Sequence, residues 1–121
     1  MKKVLIVDDS PSIRKEVAQA LTKEGYTVVE AVDGADGIVK IGAEHPAAVI
    51  CDVNMPRMNG LEMLETIRRQ PEHATLPVVM LTSEGQPALI ERAKRAGARG
   101  WIVKPFRTDL LVAAVATLVR A

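Results

Sequence analysis

Three short, unbroken apolar runs, Val4-Leu5-Ile6-Val7, Ala47-Ala48-Val49-Ile50-Cys51 and Val78-Val79-Met80-Leu81, each stop at a polar side chain: Asp8, Asp52 and Thr82. Such runs are too short for buried helices and show no polar alternation, which is the pattern of parallel strands covered on both faces. An ionised carboxylate has no place inside such a strand, so Asp52 belongs where the sheet meets solvent. The Pro- and Gly-punctuated stretch Val53-Asn54-Met55-Pro56-Arg57-Met58-Asn59-Gly60 that follows it reads as a loop. In open parallel sheets the carboxyl ends of strands are where ligands bind.

The segments between the runs carry helical periodicity. Ser10-Pro11 is a helix start, with Ser as cap and Pro in the first turn. Ile13, Val17, Ala20 and Leu21 then line one face up to Glu24-Gly25. Thr27 to Ala31 reads as a more polar strand at an edge, Asp33-Gly34 as a turn, and Ala35, Ile38, Val39 and Gly42 as the inner face of a second helix ending before His45-Pro46. Leu61, Leu64 and Ile67 mark a third helix, which dissolves into Gln70-Pro71-Glu72-His73. Leu89, Ala93 and Ala96 mark a fourth helix, closed by Gly97, and Leu110 to Leu118 a fifth. Trp101-Ile102-Val103 is the core of the last strand and ends at Lys104-Pro105. Strands alternating with helices at these spacings predict an α/β fold, a doubly wound five-stranded parallel sheet with helices on both faces.

A chain of 121 residues makes one domain that buries about two-thirds of its unfolded surface without disulfides. The net charge of +1 argues against a nucleic-acid-binding domain. The apolar run after Met1-Lys2-Lys3 is too short for a signal peptide or a membrane span, so no membrane association and a cytoplasmic location are expected. Cys51 is expected to be a buried, reduced thiol. His45 and His73 fall in turn-like segments and are expected to be exposed; Tyr26 and Phe106 are expected to pack locally.

Asp8, Asp9, Asp52, Thr82 and Lys104 all fall at the carboxyl ends of strands, where neither strand alternation nor helix periodicity requires them. Each has a plainer reading alone: Asp8-Asp9 as a helix-start signal, Asp52 as a cap, Thr82-Ser83-Glu84 as the cap of the fourth helix, Lys104 as an exposed cation. A parallel sheet brings all five to one edge. Clustered carboxylates repel unless a cation intervenes, and hard oxygen ligands suit Mg²⁺. Thr82 and Lys104 are donors of the kind that hold phosphoryl oxygens. The set therefore points to phosphoryl transfer to a carboxylate nucleophile.

The sequence resembles a response-regulator receiver domain of the CheY-like family. The matching segments are Val4-Leu5-Ile6-Val7-Asp8-Asp9, Asp52-Val53-Asn54-Met55-Pro56 with Asn59-Gly60, Leu81-Thr82-Ser83, Gly97-Ala98 and Lys104-Pro105-Phe106. The resemblance implies a flavodoxin-like (βα)5 fold with strand order 2-1-3-4-5, a single receiver domain over residues 1–121 and no output domain. It implies Asp52 as phosphoacceptor, Mg²⁺ held by Asp9, Asp52 and the main-chain carbonyl of Asn54, and Asp8 acting through a bound water. Lys104 and Thr82 would bond phosphoryl oxygens, and the Lys104-Pro105 peptide would be cis.

Three positions carry further expectations from the family. Trp101, three residues before Lys104, stands where Tyr, Phe or His is usual, and is expected to report the switch. Asn54 and Glu84, two residues beyond Asp52 and Thr82, occupy positions that tune phosphate lifetime, and this pair implies fast self-dephosphorylation. The chain would accept its phosphoryl group from a histidine kinase, as a step in two-component, chemotaxis-type signalling, and would not be a turnover enzyme.

The last helix is apolar around nearly its whole circumference, and the fourth carries Arg92, Lys94 and Arg95 with Arg99 beyond. The face of helix 4, strand 5 and helix 5 is therefore expected to bind a protein target, with the cations favouring an acidic partner, the chain being a monomer or a weak phosphorylation-dependent dimer. Three alternatives stand beside this reading: a phosphorylation-independent receiver-fold interaction module, a phosphate sink for a shared kinase, and an aspartyl-phosphate phosphatase. The last is disfavoured by Asn54, where a second acid is usual, and by the lack of room for a cap domain.

Overall fold

A computed structural model describes residues 2–120. The elements alternate as β1 (Lys3–Val7), α1 (Pro11–Lys23), β2 (Thr27–Ala31), α2 (Gly34–Glu44), β3 (Ala48–Cys51), α3 (Gly60–Arg68), a short 3₁₀ turn (Pro71–His73), β4 (Val78–Thr82), α4 (Pro87–Arg95), β5 (Gly100–Val103) and α5 (Thr108–Arg120). The five strands pair in parallel in the order β2-β1-β3-β4-β5, as expected.

Side chains of the central strands alternate between two cores, which is why their sequences are apolar throughout. Leu5, Val7, Val49, Cys51 and Met80 face Ile41, Leu61, Leu64, Ile67 and Ala93 of α2, α3 and α4. Val4, Ile6, Ile50, Val79 and Leu81 face Val17, Leu21, Leu111 and Val115 of α1 and α5. Tyr26 and Phe106 pack against this second core. Each fully buried aliphatic side chain contributes about 1.5–3 kcal/mol.

Local signals set most helix starts. The Ser10 hydroxyl accepts from the Ile13 N–H at 3.3 Å with Pro11 in the first turn, and Gly25, at φ +94°, follows the end of α1. Asn59 and Glu62 cap α3 reciprocally, each side chain accepting the other's backbone N–H. Thr82-Ser83-Glu84 does not cap α4: Thr82 is the last residue of β4, and α4 starts at Pro87.

Asp33-Gly34 is not a free turn. Asp33 caps α2, its carboxylate accepting from the Asp36 N–H at 2.8 Å, and Gly34 is already helical. The expected inner face of α2 is corrected as well. Gly34, Gly37 and Ile41 are buried and Ile38 is half-buried, whereas Ala35 and Gly42 are exposed and Val39 is 64% exposed. A Cβ on Gly37 would lie 2.7 Å from the Met63 sulfur and 3.2 Å from a Val7 methyl. The helix thus turns its smallest residues inward, which a count of apolar positions does not register.

His73 is buried, not exposed. The 3₁₀ turn holds it under α3, with Arg68 Nη1 donating to its carbonyl at 2.8 Å. His45 is exposed, as expected, and closes α2 at φ +49°. Cys51 is fully buried; its burial, then the nearby Asp52 and Asp8 charges, push the thiol well above its ordinary range.

Candidate functional site

Strand register places the polar groups together. Val7 pairs with Cys51, so Asp8 and Asp52 leave the sheet side by side. Thr82 pairs with Val103, so Lys104 follows beside it at the same edge. Ladder bonds continue one step past the strands: the Asp8 N–H donates to Ala31 O, Asp52 N–H to Val7 O, and Lys104 N–H to Thr82 O, at 3.1, 2.9 and 2.9 Å. These bonds fix the backbone from which each functional side chain projects.

Asp8, Asp9 and Asp52 each present a carboxylate oxygen, all within 4.8 Å of one another. Asp8 is fully buried, Asp52 nearly so, and Asp9 is exposed, so the cluster opens to solvent on one side. Lys104 Nζ donates to Asp8 Oδ2 at 2.9 Å and to Asp52 Oδ2 at 3.3 Å. Burial raises the Asp8 carboxyl above its usual range, against the Lys104 and Ser10 hydrogen bonds that lower it, with the Asp52 charge raising it further. Burial draws the Lys104 ammonium down, but its hydrogen bond to Asp8 and the charges of Asp52 and Asp8 outweigh this and leave it raised. One ammonium faces three carboxylates, so the site carries an uncompensated negative charge. Hard, partly open oxygen ligands of this kind fit a Mg²⁺ that keeps several waters.

The surrounding loops are interlocked. Gly60 begins α3 directly against the acceptor strand, and a Cβ there would lie only 1.9 Å from the Asp52 carbonyl oxygen. Arg57, at φ +66°, pairs with the buried Asp33, its Nε donating at 2.6 Å, and the Gly34 N–H donates to Met58 O at 3.0 Å. The loop after Asp52 is thereby tied to the start of α2. Arg14 of α1 donates from Nη1 to the Asp8 carbonyl at 2.7 Å, and its Nε pairs with Glu30. Sequence reasoning missed Arg14, Asp33 and Arg57 as supports. Only Asn59-Gly60, within the matched segment, carried a signal for Gly60.

Glu84 joins three expected residues. Its N–H donates to Thr82 Oγ1 at 3.2 Å, its carboxylate accepts from Asn54 Nδ2 at 2.6 Å, and its carbonyl accepts from Trp101 Nε1 at 2.8 Å. Trp101 is half-buried against the α2–α4 core and borders a pocket of about 100 Å³ with Ile90 and Ala93. The Lys104-Pro105 peptide is cis. Val103 and Leu110, on β5 and α5, are 50% and 59% exposed. Among the described residues no helix is long and apolar enough to cross a membrane.

Residues 4–116 match the response regulator receiver domain family. The chain is 38% identical over 111 residues to the chemotaxis protein CheY1 of Helicobacter pylori, covering 90% of each. It is 37% identical over 121 residues to the chemotaxis protein CheY of Treponema pallidum, covering 98% of this chain and 83% of the other. The solved structure of chemotaxis protein CheY4 of Vibrio cholerae superposes with a TM-score of 0.91 at 40% identity, covering 98% of both chains. The acidic edge of the sheet, the strand order and these likenesses agree, and the chain belongs to the response regulator receiver domain family.

Proposed function

We propose that the protein is a phosphoacceptor switch of two-component signalling, taking a phosphoryl group onto Asp52 from the phosphohistidine of a histidine kinase. The observation that carries this reading is the meeting of Asp8, Asp9 and Asp52 with Lys104 across two carboxylates. In the transfer, an Asp52 oxygen forms the new P–O bond as the P–N bond of phosphohistidine breaks, the electron pair returning to the imidazole nitrogen. In hydrolysis, water attacks phosphorus and Asp52 leaves as carboxylate, so the chain acts on its own side chain and turns over no external metabolite.

Asp8, Asp9, Asp52 and the Asn54 carbonyl are the groups that would hold Mg²⁺. When bound, it neutralises carboxylate and phosphoryl charge at the reacting centre. Lys104 follows the new negative charge on the phosphoryl oxygens and keeps them in line. The added group carries roughly −2 charge and three acceptor oxygens, enough to draw the Thr82 hydroxyl from its bond to the Glu84 N–H. Movement of Thr82 disturbs Glu84 and therefore Trp101, which conveys the state of Asp52 to the face of α4, β5 and α5. The exposed Val103 and Leu110 make that face suited to a protein target. A cytoplasmic location and a chemosensory pathway accord with the chemotaxis relatives.

Steady-state release of inorganic phosphate from acetyl phosphate tests this reading. Release dependent on Mg²⁺ and lost in Asp52→Ala is expected; release retained in that variant contradicts it.

A further inference from the structure

The basic residues of α4 divide between two sides of the helix. Lys94, and Arg99 just beyond the helix, border the small pocket beside Trp101. Arg92 and Arg95, three residues apart and on one face, turn toward α3 and border a groove of about 360 Å³ with Glu65 and Arg68. The expectation that all these cations serve the α4–β5–α5 face is therefore corrected for Arg92 and Arg95, which lie on the opposite flank.

Arg68, Arg92 and Arg95 border the groove, Arg69 follows Arg68 at the end of α3, and two of these four have structural work. Arg68 donates to the carbonyls of Ala96, His73 and Gly97 at 2.9, 2.8 and 3.1 Å. Arg92 grips both carboxylate oxygens of Glu65 at 2.8 and 2.7 Å. Arg69 and Arg95 are exposed and have no side-chain hydrogen bond or ion pair among the described residues. Their closeness is electrostatically visible. The Arg92 hydrogen bond, followed by the Arg92, Arg69 and Arg95 charges, holds the Glu65 carboxyl low against its burial.

Basic residues near helix ends offset the macrodipole, but Arg68 already occupies the carbonyls at the end of α4. The chain as a whole has 16 basic and 15 acidic side chains, so two surplus guanidiniums here are a local concentration and not a share of a general excess.

We propose that the α3–α4 groove docks a short acidic segment of a partner protein, separately from the Trp101 face. Guanidinium forks match carboxylates in geometry and charge. Glu65 and Glu62 stand beside Arg92. A continuous polyphosphate backbone would meet them, whereas a protein segment can place its carboxylates only where the guanidiniums are. Docking here needs no phosphoryl group on Asp52.

Fluorescence anisotropy of a labelled peptide of alternating Glu and Ala, added to the unphosphorylated full chain, tests the proposal. The double variant Arg69→Ala, Arg95→Ala is expected to bind about fivefold more weakly, with added salt weakening the native protein similarly. Lys15→Ala with Lys23→Ala on α1 is expected to leave binding unchanged, and amide shifts are expected in residues 65–69 and 92–99. Arg95→Gln alone, which removes one exposed, unpaired group, is expected to bind about twofold to threefold more weakly whatever the stability of the double variant. Equal binding by native and arginine variants would overturn the proposal. So would tighter binding of a uridylate oligonucleotide, of phosphatidylglycerol vesicles or of a second copy of the chain through the same arginines.

Discussion

The indole N–H of Trp101 donates to the carbonyl of Glu84 at 2.8 Å, linking the residue on β5 to the loop that leaves β4 beside Thr82. Burying an indole leaves its N–H in need of a partner, and Glu84 supplies it. Because Glu84 also meets Thr82 and Asn54, hydrogen bonds from these two residues and from Trp101 converge on one residue. The tryptophan is unique in the chain, so its fluorescence reports this link without a label. Mg²⁺ with beryllofluoride is expected to change the emission of the native protein and to leave that of Asp52→Ala unchanged. Unchanged emission in native protein with proven ligand binding would remove Trp101 from the switch.

The Asn54–Glu84 bond fixes two polar side chains at the mouth of the site. A hydrogen bond to a charged group contributes about 1.5–3 kcal/mol, of which partial exposure leaves a fraction. Glu84→Ala is expected to slow loss of phosphate from the phosphorylated protein by about threefold to tenfold, a change of about 0.7–1.4 kcal/mol. The decay of radiolabelled phosphoprotein, with Mg²⁺ present, measures it. Decay as fast as in the native protein would exclude the pair as a timer.

Gly60 has no room for a side chain against the Asp52 carbonyl. Gly60→Ala is expected to cost about 1–3 kcal/mol in urea unfolding, as overpacking does, and to displace the Asp52 backbone enough to slow phosphorylation. Gly85→Ala, where a Cβ would meet nothing within 4 Å, is the control and is expected to leave stability nearly unchanged.

Asp33 offers a pH test of the loop tie. The Asp36 N–H, then Arg57, hold its carboxyl below the usual carboxylate range despite burial. A carboxyl lowered in the folded state binds its proton more readily when unfolded. Its contribution is therefore fully present above about pH 4 and is lost as pH falls through the depressed folded value. Asn also caps helices but carries no charge. Asp33→Asn is expected to lose less stability than the native protein between about pH 4 and pH 2. Parallel acid limbs in urea denaturation would show that the carboxylate charge does not contribute.

The fold was legible because the central strands must be apolar on both faces, and the site because Asp8, Asp52 and Thr82 end those strands and Lys104 follows the edge strand β5. What was hidden depends on close approach and distant partners. Gly37 faces inward because it is small, so apolar counting chose Val39 instead. Arg57 and Asp33 are 24 positions apart, and no local pattern announces their pairing. His73 looked exposed because its segment reads as a turn, yet Arg68 draws that turn beneath α3. The direction of Arg92 and Arg95 depended on which flank of α4 met α3, a matter of packing and not of composition.

The central claim is that Asp52 accepts a phosphoryl group, and intact-mass spectrometry tests it most directly. After acetyl phosphate and Mg²⁺ are added, the native protein is expected to gain the mass of one phosphoryl group. Peptide mapping is expected to place that group on Asp52, with chelation of Mg²⁺ or Asp52→Ala abolishing the gain. No adduct in the native protein, or an adduct that persists in Asp52→Ala, would contradict the account.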